Sequence, residues 1–265
     1  MDGQENPREH ARSVLRGAVL GTPGSVDDVV DQLGAIEAAA RATGPLGHDD
    51  GIACFTRLYR DVTCAVRDRI GRQGFESGDF VTDLDVMFAR RYIDALRADL
   101  ASDWDHPPAA SCWRLLFDGR GRPDRPEWHH AALGVNAHVD FDLTFALLDV
   151  WERTPPERPD DHHADYRVIN EIFAERMDAL REEFGAPSGS ERDDGSLADR
   201  LWNMAGDVTV NATRQWAWDR AVSLWSGRHG PDHHEQREVS TEDLDRWATG
   251  CGHLILRLRA PRWWP

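Results

Sequence analysis

The stretch LGVNAHVDFDLTFALLDVW, Leu133 to Trp151, decides how this chain is read, because it alternates apolar and polar residues up to Thr144 and only then takes a helical spacing. As a strand it would set Asn136, His138, Asp140 and Asp142 along one face, roughly 6.5–7 Å apart, with Val135, Ala137, Val139, Phe141 and Leu143 on the other. Asn and Asp are poor strand residues, no second strand offers itself for pairing, and helix-compatible sequence flanks both ends. The stretch therefore reads as a helix. Wound at about 100° per residue, it places His138, Asp142 and Asp149 on one stripe and Asn136 with Asp140 on another. Leu133, Phe141, Leu148 and Trp151 lie to one side of those stripes, and Val135, Val139, Ala146 and Val150 to the other. A helix apolar nearly all round is a central, buried one, and its polar groups must find partners inside the protein. His138 and Asp142 must then bind a metal, bind a ligand or pair with an arginine, since a buried unpaired charge is costly.

Outward from this segment the same spacing recurs. Ile52, Phe55, Tyr59, Val62, Val66 and Ile70 fall at steps of three and four, and Phe80, Leu84, Phe88, Tyr92 and Leu96 repeat the pattern from about Asp79 to Leu100. Further helices are expected at Val26 to Ala42, around Ala109 to Phe117, at Asp165 to Phe184, at Ser196 to Trp225 and at Thr241 to Leu258. The breaks, such as GPLGHDD, DGRGRPDRPEW, RTPPERPDD, GAPSGSERDDGS and SGRHGPDHHEQ, are loop sequence. The expected fold is all-α, a single-domain irregular helical bundle over residues 25–258 with the segment around Asn136–His138 as its buried centre. Residues 1–24 and 259–265 are expected to be poorly ordered terminal segments.

Composition narrows the function classes. A chain of 265 residues can bury one sizeable core, and a formal net charge of −16 disfavours nucleic acid and anionic membranes as partners. No long apolar run or secretory pattern is present, so a cytoplasmic protein is expected. Cys54, Cys64, Cys112 and Cys251 form no C-x-x-C pair and read as free thiols. All 31 basic side chains are arginine. Without a lysine there is no pyridoxal Schiff base, no lysine-based aldol chemistry and no phosphate-loop lysine. G-x-S-x-G and G-x-G-x-x-G are also missing, which weakens serine-hydrolase and dinucleotide readings.

The H-x-x-x-D pair of His138 and Asp142 suits a helical zinc or iron site, with Asp165 as the first choice for a third ligand and Asp160, Asp161, His162 and His163 nearby in sequence. The His-His pairs at 129/130, 162/163 and 233/234 read as solvated loop histidines. Asn203, Asp207, Asn211, Arg214 and Trp218 recur at helical steps, either as an exposed face or as a stripe facing His138 and Asp142 across a pocket. In the second case Arg214 pairs with Asp142 or clamps an anion. Tyr59 and Tyr92 are core residues or pocket residues, Asp85 and Arg91 are candidates for a structural ion pair, and the eleven tryptophans line a cavity or fill a core.

Around these residues the sequence resembles a high-G+C bacterial family of unknown function, through Leu133-Gly134, Asn136-Ala137-His138 and Asp142-Leu143. The resemblance extends to GIACFTRLYRDVT at 51–63, LDVMFARRYIDAL at 84–96, DYRVIN at 165–170 and RQWAW at 214–218. It implies a fold and a site location more than a chemistry.

Two function classes follow. The first is a small-molecule enzyme with His138 as base or metal ligand, Asp142 orienting or co-ligating it, and Arg214 stabilising negative charge; Asn136, Tyr59, Tyr92, Asn170, Asn211 and Trp218 are its candidate substrate contacts. Hydrolysis, metal-dependent or not, is the leading reaction, and metal-free acid–base cyclisation or isomerisation of an apolar intermediate is the alternative. The second class is a non-catalytic helical module in which the same residues form a buried polar network around a bound ligand.

Overall fold

A computed structural model describes residues 7–47, 50–101, 109–183 and 208–257, and the described residues form an all-α bundle without a strand. In chain order the helices are α1 (Pro7–Ala18), α2 (Val26–Thr43), α3 (Gly51–Gly71), α4 (Gly78–Ala101), α5 (Ser111–Phe117), α6 (Glu127–Ala137), α7 (Leu143–Arg153), α8 (His163–Glu183), α9 (Val208–Gly227) and α10 (His233–Ile255). A π-helical turn, His138–Asp142, joins α6 to α7, and a 3-10 turn, Pro159–His162, precedes α8.

Helix starts follow local chemistry. The Ser25 hydroxyl accepts the Asp28 amide at 3.1 Å to open α2, and the Asp50 carboxylate accepts the Ile52 and Ala53 amides at 3.1 and 3.4 Å to open α3. Arg120 donates to the other Asp50 oxygen at 2.7 Å, which ties the loop after α5 to the same cap. At α4 the cap comes from far away in sequence: the two Asp165 oxygens accept the amides of Glu76 and Ser77 at 2.7 and 2.6 Å.

Within the segment 1–24, expected to be poorly ordered, Pro7–Ala18 forms a helix that docks on the bundle. Leu15 and Val19 are buried in the core, and Arg12 and Arg16 donate to the Leu100 carbonyl at the end of α4, at 3.1 and 2.8 Å. Arg97 and Arg90 reach back to the Val19 and Pro23 carbonyls at 2.7 Å each. A guanidinium offers several donors in a fixed fork, so an all-arginine chain can fasten a terminal segment through main-chain oxygens. The other terminal segment, 259–265, lies outside the described residues, as do residues 196–207 of the expected long helix, whose described part begins at Val208.

From Glu127 to Arg153 the chain is continuously helical and runs through the middle of the bundle. By length and composition it could cross a membrane, yet 78% of its apolar window is buried against the other helices. Its first half, through Leu133 and Ala137, packs with α3, α5 and α10 and belongs to the cluster that also holds α1, α2 and α4; its second half, through Val139, Leu143, Ala146, Leu147, Val150 and Trp151, packs with α4, α9 and α10. The π turn sits at the changeover. One extra residue in a turn rotates everything after it by about 100°, which lets a single helix serve two cores. Close approach of α3 and α6 depends on Gly134, where a Cβ would lie 2.2 Å from the Phe55 ring.

Candidate functional site

The π turn carries His138 at its first position and Asp142 at its last, and both are buried. Their side chains meet: His138 Nδ1 lies 3.0 Å from Asp142 Oδ2, and the Trp113 indole N–H, on α5, donates to the same oxygen at 3.0 Å. A carboxylate only accepts, so His138 donates from Nδ1 and its Nε2 is left with a lone pair. That Nε2 is shielded from solvent and has no hydrogen-bond partner. The imidazole is held from the sides as well. Phe88 stacks flat on it with centroids 3.5 Å apart, and the Tyr59 ring meets it edge-on at 4.6 Å. Burial lowers the His138 pKa below its ordinary 6.5, against the upward pull of the Asp142 hydrogen bond and charge; the Arg214 charge lowers it further. The ring is therefore neutral at neutral pH.

His138 lines an apolar hollow between α3, α4, the central helix, α8 and α9. Phe55, Leu58, Val62, Val66, Leu84, Val139 and Phe173 are among the residues that wall it, and Tyr59, Asp85, His138 and Arg214 are its polar members. It offers about 40 Å³ to the centres of water-sized molecules, room for a few waters or a very small molecule as it stands. Three of its polar atoms have no partner: Tyr59 Oη, Asp85 Oδ2 and His138 Nε2. Desolvation pushes the Asp85 carboxyl up to about 7, and holds the Tyr59 phenol well above its ordinary 10, with the charges of Asp85 and Asp142 adding to the second effect. Arg214 is 3% exposed and donates through Nε to Asn170 Oδ1, with the rings of Tyr166 and Phe173 at 5.3 and 5.7 Å from its Cζ. Unpaired polar groups on the walls of an apolar cavity are the physical mark of a binding or catalytic site.

Of the residues singled out in the sequence, His138, Asp142, Arg214 and Tyr59 come together here, and Asn170 stands behind Arg214. Asn136 does not join them; its side chain donates to the Ala248 carbonyl at 2.8 Å and fastens α6 to α10. Tyr92 is spent on the core, bonded at 2.6 Å to the Thr56 hydroxyl, which in turn donates to the Ile52 carbonyl. Trp218 packs against Trp151 and Tyr166 with centroids 5.3 and 4.8 Å away, and no tryptophan lines the hollow among the described residues. Asn203 and Asp207 lie outside the described residues, and so does the side chain of Asn211.

The expected ion pairs are rearranged. Arg214 does not pair with Asp142, whose Oδ2 already serves Trp113 and His138, and Arg91 donates to Asp149 at 2.9 Å rather than to Asp85. Nor is the expected zinc or iron set assembled. Asp165 uses both oxygens as the α4 cap, and among the described residues no three of His, Cys, Asp and Glu form a group able to hold a metal ion. His129 and His130, expected in solvent, are buried in α6, and His162 stacks on Phe80 at 4.0 Å. Asp85 is the site residue that sequence reasoning misplaced. Its signal was a lone acid between Leu84 and Val86, one turn before Phe88 on an apolar stripe.

Five separate phrases of sequence contribute to the wall: Tyr59 from GIACFTRLYRDVT, Asp85 and Phe88 from LDVMFARRYIDAL, His138 after Asn136-Ala137, Ile169 from DYRVIN and Arg214 from RQWAW. These are the phrases on which the family resemblance rests. No curated protein and no solved structure matches the chain. The model of a family of unknown function, DUF5995, matches residues 26–258 and so spans every helix that builds the hollow, and the chain belongs to that family.

Proposed function

We propose that the protein is a small-molecule enzyme that moves a proton on a compact, mainly apolar substrate, with His138 as general base. The observation that carries this reading is a buried imidazole, tied through Nδ1 to Asp142 and unpartnered at Nε2, in the wall of an apolar hollow. Asp142 fixes the tautomer and stabilises the imidazolium that forms when Nε2 takes a proton. Asp85, protonated up to about pH 7, is placed to return a proton elsewhere on the substrate, and the Tyr59 hydroxyl donates a hydrogen bond to developing charge. Acid and base on one apolar cavity suit isomerisation, cyclisation or elimination, and none of these steps needs a metal.

Hydrolysis is the second reading, favoured by the room for water beside Nε2. The same base would then activate a water molecule.

Incubation with a small-molecule extract in deuterated water separates these readings from a pure binding role. Proton transfer gives carbon-bound deuterium in some compound with the wild-type protein and none with His138→Gln. Hydrolysis instead gives oxygen-18 incorporation from labelled water. Identical product profiles for the two proteins would leave a binding module.

A further inference from the structure

We infer that Arg214 is the seat of a carboxylate, and that the hollow's ligand is a small monoanion with a branched aliphatic body. The inference rests on the hollow being the substrate site proposed above, and it names the ligand's chemical class. A guanidinium stays protonated even when desolvated, so burial of Arg214 cannot be relieved by losing its proton. Its charge has to be answered by other means. Among the described residues it meets one neutral acceptor, the Asn170 side-chain oxygen, and two aromatic faces; no carboxylate is within ion-pair distance of it. In a chain of formal charge −16, the natural counter-ion for such a site is supplied by a ligand.

The surroundings select the anion. Asn170 takes Nε, and the two terminal nitrogens of a guanidinium have the fork geometry that suits a planar, two-oxygen partner. The Tyr166 hydroxyl donates to the Arg214 main-chain carbonyl at 2.5 Å and holds the backbone from which the side chain springs. Phe173 lies against Arg214, and Val62, Val66, Leu143 and Ile169 line the same hollow; none of these can solvate a second negative charge. A phosphate dianion would therefore be rejected where a carboxylate on a short branched chain is accepted. Arg214 and His138 line the same hollow, so an anion bound at Arg214 would share it with the base.

The test is titration calorimetry of the full chain with 3-methylbutanoate, 3-methylbutanamide and inorganic phosphate. The expected result is carboxylate binding at least about tenfold tighter than that of the isosteric amide, with no binding of phosphate. Arg214→Gln should abolish the preference. Should that variant fail to fold, Asn170→Ala, which frees the guanidinium, should weaken the carboxylate severalfold with the amide unchanged. Equal affinity for acid and amide, or binding of neither, overturns the inference. His138→Gln separates it from the proposed reaction: carboxylate binding retained without His138-dependent turnover of any compound leaves this inference standing and removes the acid–base reading, whereas His138-dependent turnover with no carboxylate preference does the reverse.

Discussion

Phe88 lies flat on the His138 imidazole, with ring centroids 3.5 Å apart and planes 5° from parallel, while Asp142 holds the same ring in-plane through Nδ1. Contact and hydrogen bond together leave the imidazole no second orientation. Replacing Phe88 with Ala should remove the wall and cost about 3 kcal/mol by the usual balance of lost transfer energy and residual cavity. Urea unfolding measures it. A cost below about 1 kcal/mol would mean that the ring is not packed as described.

Asp142→Asn tests the other constraint. The amide oxygen can still accept from Trp113 or from His138, but the carboxylate charge that favours the imidazolium is lost. Turnover should fall by two orders of magnitude or more, and stability by about 1–3 kcal/mol. Trp113→Phe removes the indole donor from the shared oxygen together with some buried ring volume, and should cost stability with a smaller effect on turnover.

Close helix contact makes a third prediction. A Cβ at position 134 would sit 2.2 Å from the Phe55 ring, and Phe55 in turn packs edge-on to His138 at 5.8 Å. Gly134→Ala should therefore destabilise by about 1–3 kcal/mol despite the better helix propensity of alanine, and should displace the imidazole. A neutral or stabilising result in a melting experiment would contradict the α3–α6 packing.

Titration gives a fourth. Burial holds the Asp85 and Asp140 carboxyls at about 7, so the folded chain keeps protons that the unfolded chain loses above its ordinary carboxylate value. Their contribution to stability is thus greatest at the acid end of that window and falls as pH rises through 7, by up to about 1.4 kcal/mol per unit for each group. His138 has the opposite sign: its folded pKa is lowered, so its contribution is lost as pH falls below the ordinary 6.5. Asp85→Asn should flatten the decline between about pH 4 and 7 and stabilise the protein near pH 8, as read from urea midpoints across pH. In turnover the same two groups predict a bell, rising as His138 loses its proton and falling as Asp85 loses its own near pH 7.

The bundle was legible because three-and-four spacing marks a buried face whatever it packs against, as at Phe55, Tyr59 and Val62. The π turn was not. It leaves no mark in residue type, and a four-residue step keeps His138 and Asp142 on one side of either kind of helix. Their pairing was therefore readable even though the local geometry was not. Partners across helices were the weak point: Asp165 caps α4 and Asn136 reaches a carbonyl of α10, contacts fixed by tertiary docking that no local period encodes. Sequence spacing pairs Asp85 with Arg91 on its own helix, whereas Arg91 turns to Asp149 on α7 and Asp85 lines the hollow.

The nitrogen-15 resonances of the His138 ring, followed across pH in selectively labelled protein and assigned with His138→Gln, test the account most directly. The account predicts a neutral ring protonated on Nδ1, with Nε2 bare and a midpoint below 6.5. A ring protonated on Nε2, or one that titrates at or above the ordinary histidine value, would contradict a buried base aimed at the cavity.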